Sequence, residues 1–499
     1  MHLNNIVARL IKKSLSLVLF SMLVISFLLS SCTSRSNKNV NREGNIDEFS
    51  IYADPIDFDL PKIKKRGSLK VILENTSTGY FLYKGSPMGL QYELIRRFCD
   101  DIGLSLELVI ENDLEKSFNL LQEGKGDIIA HSLTITKERR KFVEFTNAHY
   151  EIRQMLVQRK PDNWYNMRLH EIENNLIRSP SELIGHEIYV KKGSSYVRRL
   201  RNLSEEIGGD IIIIEEFGDV LTEELIHMVS ENEIDYTVAD EDIANISATF
   251  YQNIDAYTPL SLPTQVAWAI RKNSPELLDA LNTWIKVIKT KPDFNVLYRR
   301  YFQDPKGFRI RLQSDFSSLG GQKISPYDDL IKKHAERINW DWRLLAALIH
   351  QESNFNPQAE SWMGAKGLMQ LIPQTAESYG ANDIFNPEQN IKAGSNYLNW
   401  LENYWIKYVS DSIERRKFVM ASFNAGPGHV MDAVRLAKKY EKDPEKWEDN
   451  VEYFLLQKSK PKFFKDPVVK SGYCRGDEPV EYIQDIFMQY DIYKQFIGV

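Results

Sequence analysis

The sequence predicts a multidomain chain in which an α/β region is followed by an all-α region. Three observations predict it. Short β-type runs alternate with helical patterns from Leu69 onward, strand signals disappear after about Lys323, and 499 residues are too many for one ordinary core. Charged residues make up 26% of the chain and apolar residues 43%, the balance of a folded globular protein. The formal charge of −6 argues against a nucleic-acid partner, since phosphates call for a net basic face.

The amino-terminal segment comes first. Arg9, Lys12 and Lys13 precede an apolar run at 15–29, the pattern of an export signal. It ends in Leu29-Ser30-Ser31-Cys32, which resembles a bacterial lipobox. Residues 1–31 are then a lipoprotein signal peptide, and Cys32 carries the lipid as the first residue of the mature chain. A single membrane-spanning anchor is the competing reading, against which stands an apolar run near the short limit for a span. Thr33 rather than Asp follows Cys32, which by analogy with lipoprotein sorting places the protein at the outer membrane, facing the periplasm. Only Cys99 and Cys474 remain, in different domains, so no disulfide framework is expected. Residues 32–66, rich in Ser, Asn, Arg and Asp without apolar periodicity, read as a tether.

The α/β region is placed at 67–305. Its β-type runs at 69–73, 104–110 and 127–130 are separated by helical patterns at 91–102 and 114–123. A second set follows, with strands near 187–190, 211–215 and 236–239 and helices at 195–207 and 222–230 between them. That rhythm predicts a largely parallel sheet. A linker at 306–323 is indicated by Ser314, Ser317, Ser318 and Gly320. The all-α region at 324–499 begins at Ser325-Pro326-Tyr327-Asp328, a helix start with a capping Ser and an Asp three residues on. Helical patterns continue at 341–353, 390–405, 417–425, 429–440 and 479–490.

One of these helices carries the candidate chemistry. Leu345, Leu348, Ile349 and Glu352 are spaced i, i+3, i+4 and i+7, so a carboxylate shares a face with three apolar side chains. Desolvation there penalises the charged form and raises the pKa towards the range of a general acid. A solvated Glu at a fraying helix end fits this helix equally well. The motifs that follow favour the first reading. Glu352-Ser353, Gly367-Leu368-Met369-Gln370, Phe423-Asn424-Ala425-Gly426-Pro427-Gly428, and Tyr482 after Glu478-Pro479 occur in the order of the lytic transglycosylase domain of the goose-type lysozyme superfamily, which this region resembles.

The resemblance implies a lysozyme-like fold acting on peptidoglycan without cofactor. Glu352 would protonate the oxygen between N-acetylmuramic acid and N-acetylglucosamine, then take a proton from the muramyl 6-hydroxyl as a 1,6-anhydro ring closes. Tyr482 would orient Glu352. Ser353, Met369, Gln370, Phe423 and Asn424 would line sugar subsites, and Gly367 and Gly426 would permit close backbone approach. Phe423 stands where the family usually has Tyr, so ring stacking survives and a hydroxyl is lost.

The α/β region resembles family 3 extracellular solute-binding proteins, through Ser132-Leu133-Thr134-Ile135-Thr136-Lys137-Glu138-Arg139, Thr237-Val238-Ala239-Asp240 and Lys192-Gly193-Ser194-Ser195. This implies a two-lobed periplasmic-binding-protein fold, lobe 1 at about 67–155 and 240–305 and lobe 2 at about 156–239. Arg139 would pair with a ligand carboxylate, Asp240 with its ammonium, and Tyr80, Ser132, Thr134 and Ser194 would complete a site for an amino acid or muropeptide regulator. The residues themselves leave two further readings open: a lysozyme-like hydrolase on the same fold, and a non-catalytic amino-acid- or glycan-binding lipoprotein. No metal site is expected, as the nine His residues lack ligand spacing with Cys or acidic partners.

Overall fold

Apolar runs buried on both faces organise the α/β region into a pair of sheets. The computed structural model describes residues 54–497 apart from Gly320 and Gln322, so the signal peptide and Cys32 lie outside the described residues. Numbering strands along the chain, the first sheet has the order β4 (Ser105–Ile110), β1 (Ser68–Leu73), β5 (Ile128–Thr134), β13 (Thr264–Arg271) and β6 (Val143–Phe145), with β7 (Tyr150–Ile152) also paired to β13. The second has the order β10 (Ile212–Glu216), β9 (Glu187–Lys191), β11 (Tyr236–Asp240), β8 (Gln154–Arg159) and β12 (Ile254–Pro259). β1 runs parallel to β4 and β5, and β9 parallel to β10 and β11, while β13 is antiparallel to β5. Val71, Ile72, Ile128 and Ile129 are fully buried, as parallel strands covered on both faces require.

Three boundaries differ from those expected. The chain returns to the first sheet after β12, past Pro259 rather than at 240. Asp240 ends β11 and leads into the helix Glu241–Phe250, which packs beneath the second sheet before β12 adds an antiparallel edge strand. The supposed tether ends in a packed helix, Leu60–Arg66. Asp59 caps it and also accepts from Glu276 N at 3.0 Å and Leu277 N at 2.9 Å, and Ile63 is buried, though four basic residues mask the two apolar ones in sequence. The supposed linker holds the helix Pro305–Leu312 with Phe308 buried, followed by Ser318, whose Oγ accepts from Leu82 N at 2.9 Å.

The all-α region is built on a pair of long helices in contact, Trp342–Ser353 and Asp477–Phe496. Leu344 to Ile349 are all fully buried, so the first is enclosed on nearly every side. Asp341 caps it by accepting from Arg343 N. At the domain start, the Asp328 carboxylate reaches back to Ile324 N and Ser325 N, both at 2.8 Å, and the helix Asp328–Arg337 begins there.

A hairpin unread in the sequence joins the halves. β2 (Phe81–Tyr83) and β3 (Ser86–Met88) turn through Lys84 and Gly85, whose φ angles of 52° and 76° suit a tight two-residue turn. Gly85 O accepts from Gln489 Nε2 at 2.9 Å and Tyr493 Oη at 3.0 Å, and Ser86 Oγ lies 3.0 Å from His350 Nε2. A Cβ on Gly85 would come within 2.6 Å of Phe355, so only glycine lets the tip seat this closely. The first lobe and the helical domain consequently share one core.

Candidate active site

The helix Trp342–Ser353 delivers Glu352 to the edge of the helical core. The side chain is only partly exposed. Burial pushes its pKa up to about 7, and a hydrogen bond from Tyr482 pulls in the other direction. Tyr482 Oη donates to Glu352 Oε1 at 2.5 Å, the one hydrogen bond that the Glu352 side chain makes among the described residues. Tyr482 is itself buried on the helix Asp477–Phe496, between Val480, Ile483 and Ile486, so packing fixes the phenol.

The neighbouring motif residues split into those that build the loop and those that face outward. Ser353 is buried, and its Oγ donates to Leu368 O at 2.8 Å, fastening the Gly367–Gln370 loop to the acid's helix rather than facing a sugar. Met369 is fully buried, its sulfur against Gly394 and its N–H on Asn390 Oδ1 at 2.8 Å, a core position rather than a subsite. Gly367, at φ 79°, has no room for a side chain, since a Cβ would lie 2.4 Å from Ile384 O. Gln370 is half-buried, its Nε2 donating to Ala359 O and Gly367 O. Asn424 is exposed, Phe423 is half-buried against Tyr397, and Gly426 breaks the helix at φ 92°. Asn354, Phe355 and Gln370 hold φ angles of 49°, 58° and 44°, so strained backbone gathers around the acid. Asn390, which no motif singled out, holds the loop through Met369 N, Lys366 O and Ile384 O while fully buried.

A second site lies between the two sheets, at the carboxyl ends of β1, β5 and β9, where open α/β sheets place ligands. It is a polar cavity of about 70 Å³ lined by Ser132, Thr134, Arg139, Ser194 and Asp240. Arg139 is buried and donates to Thr134 O at 2.9 Å and, across the lobes, to Gly193 O at 3.2 Å. Ser132 accepts from Gln91 Nε2 at 3.0 Å, and Ser195 Oγ donates to Thr134 Oγ1 at 3.3 Å. Ser194 and Asp240 line the cavity, and Ser194 Oγ and Asp240 Oδ1 have no hydrogen-bond partner among the described residues. Burial raises the Asp240 pKa to about 7, with Tyr196 and Arg139 pulling it down and Glu74 pushing it up. Tyr80 is elsewhere: its ring packs between Tyr92 and Phe496, so it belongs to the core between the halves.

Three charged residues of the cavity escaped the sequence reading. Lys191 reaches across the lobes to Glu74 at 3.2 Å, and Glu223 accepts from Ser77 N and Oγ at 3.2 and 3.0 Å. Burial opposes ionisation of Glu74, yet Lys191 and other nearby cations leave its pKa lowered; Glu223, without a cation, is raised by burial. Glu74 and Lys191 stand at the ends of β1 and β9, the signal by which both were findable.

Two family models match the chain, Transglycosylase SLT domain over residues 329–446 and Bacterial extracellular solute-binding proteins, family 3, over residues 69–304. A protein of Desulfosudis oleivorans named membrane-bound lytic murein transglycosylase F is 35% identical over 434 residues, 87% of this chain and 91% of its own length. One of the same name from Photobacterium profundum is 32% identical over 438 residues, 87% and 81% of the two chains. Among solved structures, a mutant arginine-binding protein (ArgBP) of T. maritima aligns with 49% of this chain and 98% of its own at 22% identity, with a TM-score of 0.41.

Proposed function

This chain belongs to the membrane-bound lytic murein transglycosylase F family, and on that premise we propose that Glu352 is its single catalytic acid and base. The protein is a murein lytic transglycosylase, and its cut is proposed to fall between N-acetylmuramic acid and N-acetylglucosamine and to leave 1,6-anhydromuramyl ends. One observation carries the assignment of Glu352: a carboxyl with a pKa of about 7 held by a buried phenol at 2.5 Å. Such a group holds its proton near neutrality, gives it to the departing oxygen, and as the carboxylate accepts the proton of the muramyl 6-hydroxyl. Tyr482 keeps it aimed through both steps. Phe423, Gln370 and Asn424 are proposed to meet the sugar, while Ser353, Gly367, Met369 and Gly426 shape the loops that present them.

The acid must be protonated to act, so kcat/KM is expected to fall as pH rises through about 7. Tyr482→Phe removes a donor that favours the carboxylate, so this limb should move to higher pH while kcat drops roughly 10- to 100-fold. A pH profile on soluble glycan strands checks both; an unmoved limb would count against the pairing.

The front cavity is proposed to bind an amino acid or the peptide moiety of a muropeptide, with Arg139 and the Ser194 end on the carboxylate and Asp240 on the ammonium. Ser194 Oγ and Asp240 Oδ1, buried and without a hydrogen-bond partner among the described residues, support this. Asp240, at about 7, must ionise to hold an ammonium, so affinity for a responsive amino acid should rise with pH through that range. Calorimetry against a panel of free amino acids tests it: Asp240→Asn should weaken binding at least about 10-fold and flatten the pH dependence. A regulatory role is supported by the hairpin at Gly85, which joins the first lobe to both helices holding the Glu352–Tyr482 pair.

The protein acts at the cell envelope. No described helix is long and apolar enough to cross a membrane. Lipid attachment at Cys32 and residence at the outer membrane are proposed from the lipobox-like Leu29-Ser30-Ser31-Cys32.

A further inference from the structure

The helix Pro387–Trp405 carries three kinds of face. Leu398, Leu401 and Trp405 are fully buried and anchor it. Beside them runs a row of aromatic rings at i, i+3 and i+7, Tyr397, Trp400 and Tyr404, continued by Tyr408 just past the helix end. Next to that row, Asn396, Asn399 and Asn403 form an exposed line of amides.

Tyr397 and Tyr404 pack against the core, whereas Trp400 and Tyr408 do not belong to it. Trp400 and Tyr408 are each 45% exposed, on a helix whose buried side is already filled. The rings form a tape: Tyr397 and Trp400 lie 6.1 Å apart with planes 20° from parallel, and Trp400 and Tyr404 lie 5.8 Å apart at 23°. Tyr404 and Tyr408 follow at 5.7 Å. Its inner end meets the motif proposed above to touch the sugar, since Tyr397 packs 5.5 Å from Phe423, the neighbour of Asn424. The same helix holds the Gly367–Gln370 loop through Asn390 and Gly394. The tape therefore starts beside Phe423 and runs along the helix to Tyr408.

We infer that Trp400, Tyr404 and Tyr408 form an outlying glycan-binding track, on which saccharide rings of the strand stack beyond those held at Glu352. The occupant is a chain of N-acetylated pyranoses, because flat aromatic faces cover the apolar C–H faces of sugar rings while flanking amides match acetamido and hydroxyl groups. A protein partner fits less well, since a single file of rings bordered by three Asn, Lys407 and one exposed aliphatic residue, Ile406, is no broad apolar patch. The inference rests on the reading of Glu352 as the cutting residue. Its consequence is a preference for long strands, because only these reach the outer rings.

The test compares kcat/KM on long peptide-free glycan strands with kcat/KM on a fragment of two disaccharide units, for the unmodified enzyme and for Trp400→Ala/Tyr408→Ala. Both positions are about half exposed, and the denaturation midpoint of the variant is measured alongside to check that folding is retained. The preference for long strands should fall roughly 10-fold in the variant, mainly through KM, and return with Trp400→Phe/Tyr408→Phe. A second measurement, sedimentation of Glu352→Gln with insoluble peptidoglycan, should show weaker retention when Trp400→Ala/Tyr408→Ala is added. An unchanged long-to-short ratio overturns the track, as does a concentration-dependent dimer that the double variant abolishes while the ratio stays constant. Turnover of the short fragment by the unmodified enzyme reports on the Glu352 reading separately.

Discussion

Glu352→Gln is expected to lower peptidoglycan cleavage by about 1000-fold or more, because one group performs both proton transfers and the amide can perform neither. The loss should not come from unfolding. The folded pKa of about 7 lies above the unfolded value, so wild-type stability is complete below the unfolded pKa and declines as pH rises through about 7. An uncharged Gln escapes that decline. At pH 8 the variant should therefore equal or exceed the wild type in stability, by roughly 2 kcal/mol after discounting for the partly exposed side chain. Denaturant melts of both proteins at about pH 5 and pH 8 separate this from a structural defect. An inactive variant that is also less stable at pH 8 would speak for a packing role instead.

The second large effect is on stability. Asp432 and Lys458 pair at 2.9 Å, and neither side chain has exposed surface. The Asp432 carboxylate also accepts from Lys470 N at 2.8 Å and Ser471 N at 2.7 Å, and Arg435 pairs with it. Burial opposes its charge, but these donors outweigh burial and hold its pKa below the usual range. Asp432→Ala would leave the Lys458 ammonium buried without a counter-charge and two backbone N–H groups unpaired. The expected cost is about 3–5 kcal/mol, read from a shifted denaturation midpoint with unchanged slope. Adding Lys458→Met should recover much of it, since an apolar pair tolerates burial. Activity should follow stability, because the segment tied down here leads into the helix that presents Tyr482. Equal stabilities of the single and double variants would refute an energetic role for the pair.

What the sequence disclosed depended on how local the cause was. The helix 195–207 and the helix 222–230 are where periodicity put them, because an amphipathic face declares itself within a few turns. Glu352 was legible for the same reason, sharing a face with Leu345, Leu348 and Ile349. Its partner was legible only through the resemblance, since 130 residues separate Tyr482 from Glu352 and no local pattern ties them. The hairpin at Lys84–Gly85 was missed because its strands are three residues long and its specificity lies in what Gly85 touches, His350, Phe355 and Tyr493. Tyr80 was misplaced because an aromatic near a ligand cleft and one in a domain seam look alike in sequence. Ser353 and Met369 stand in motifs that imply sugar contacts, but the hydroxyl and the sulfur hold a loop whose Gly367 and Gln370 carry positive φ. The aromatic row from Tyr397 to Tyr408 reads as core in a periodicity scan, and only its exposure separates it from Leu398, Leu401 and Trp405.

If Glu352 alone supplies and removes the proton, no water is consumed in cleavage. Digestion of purified peptidoglycan in heavy-oxygen water, followed by mass spectrometry of the new muramyl ends, measures this directly. The expected ends are lighter than hydrolytic ones by one water and carry no heavy oxygen. Ends bearing heavy oxygen at the muramyl anomeric carbon would contradict the account.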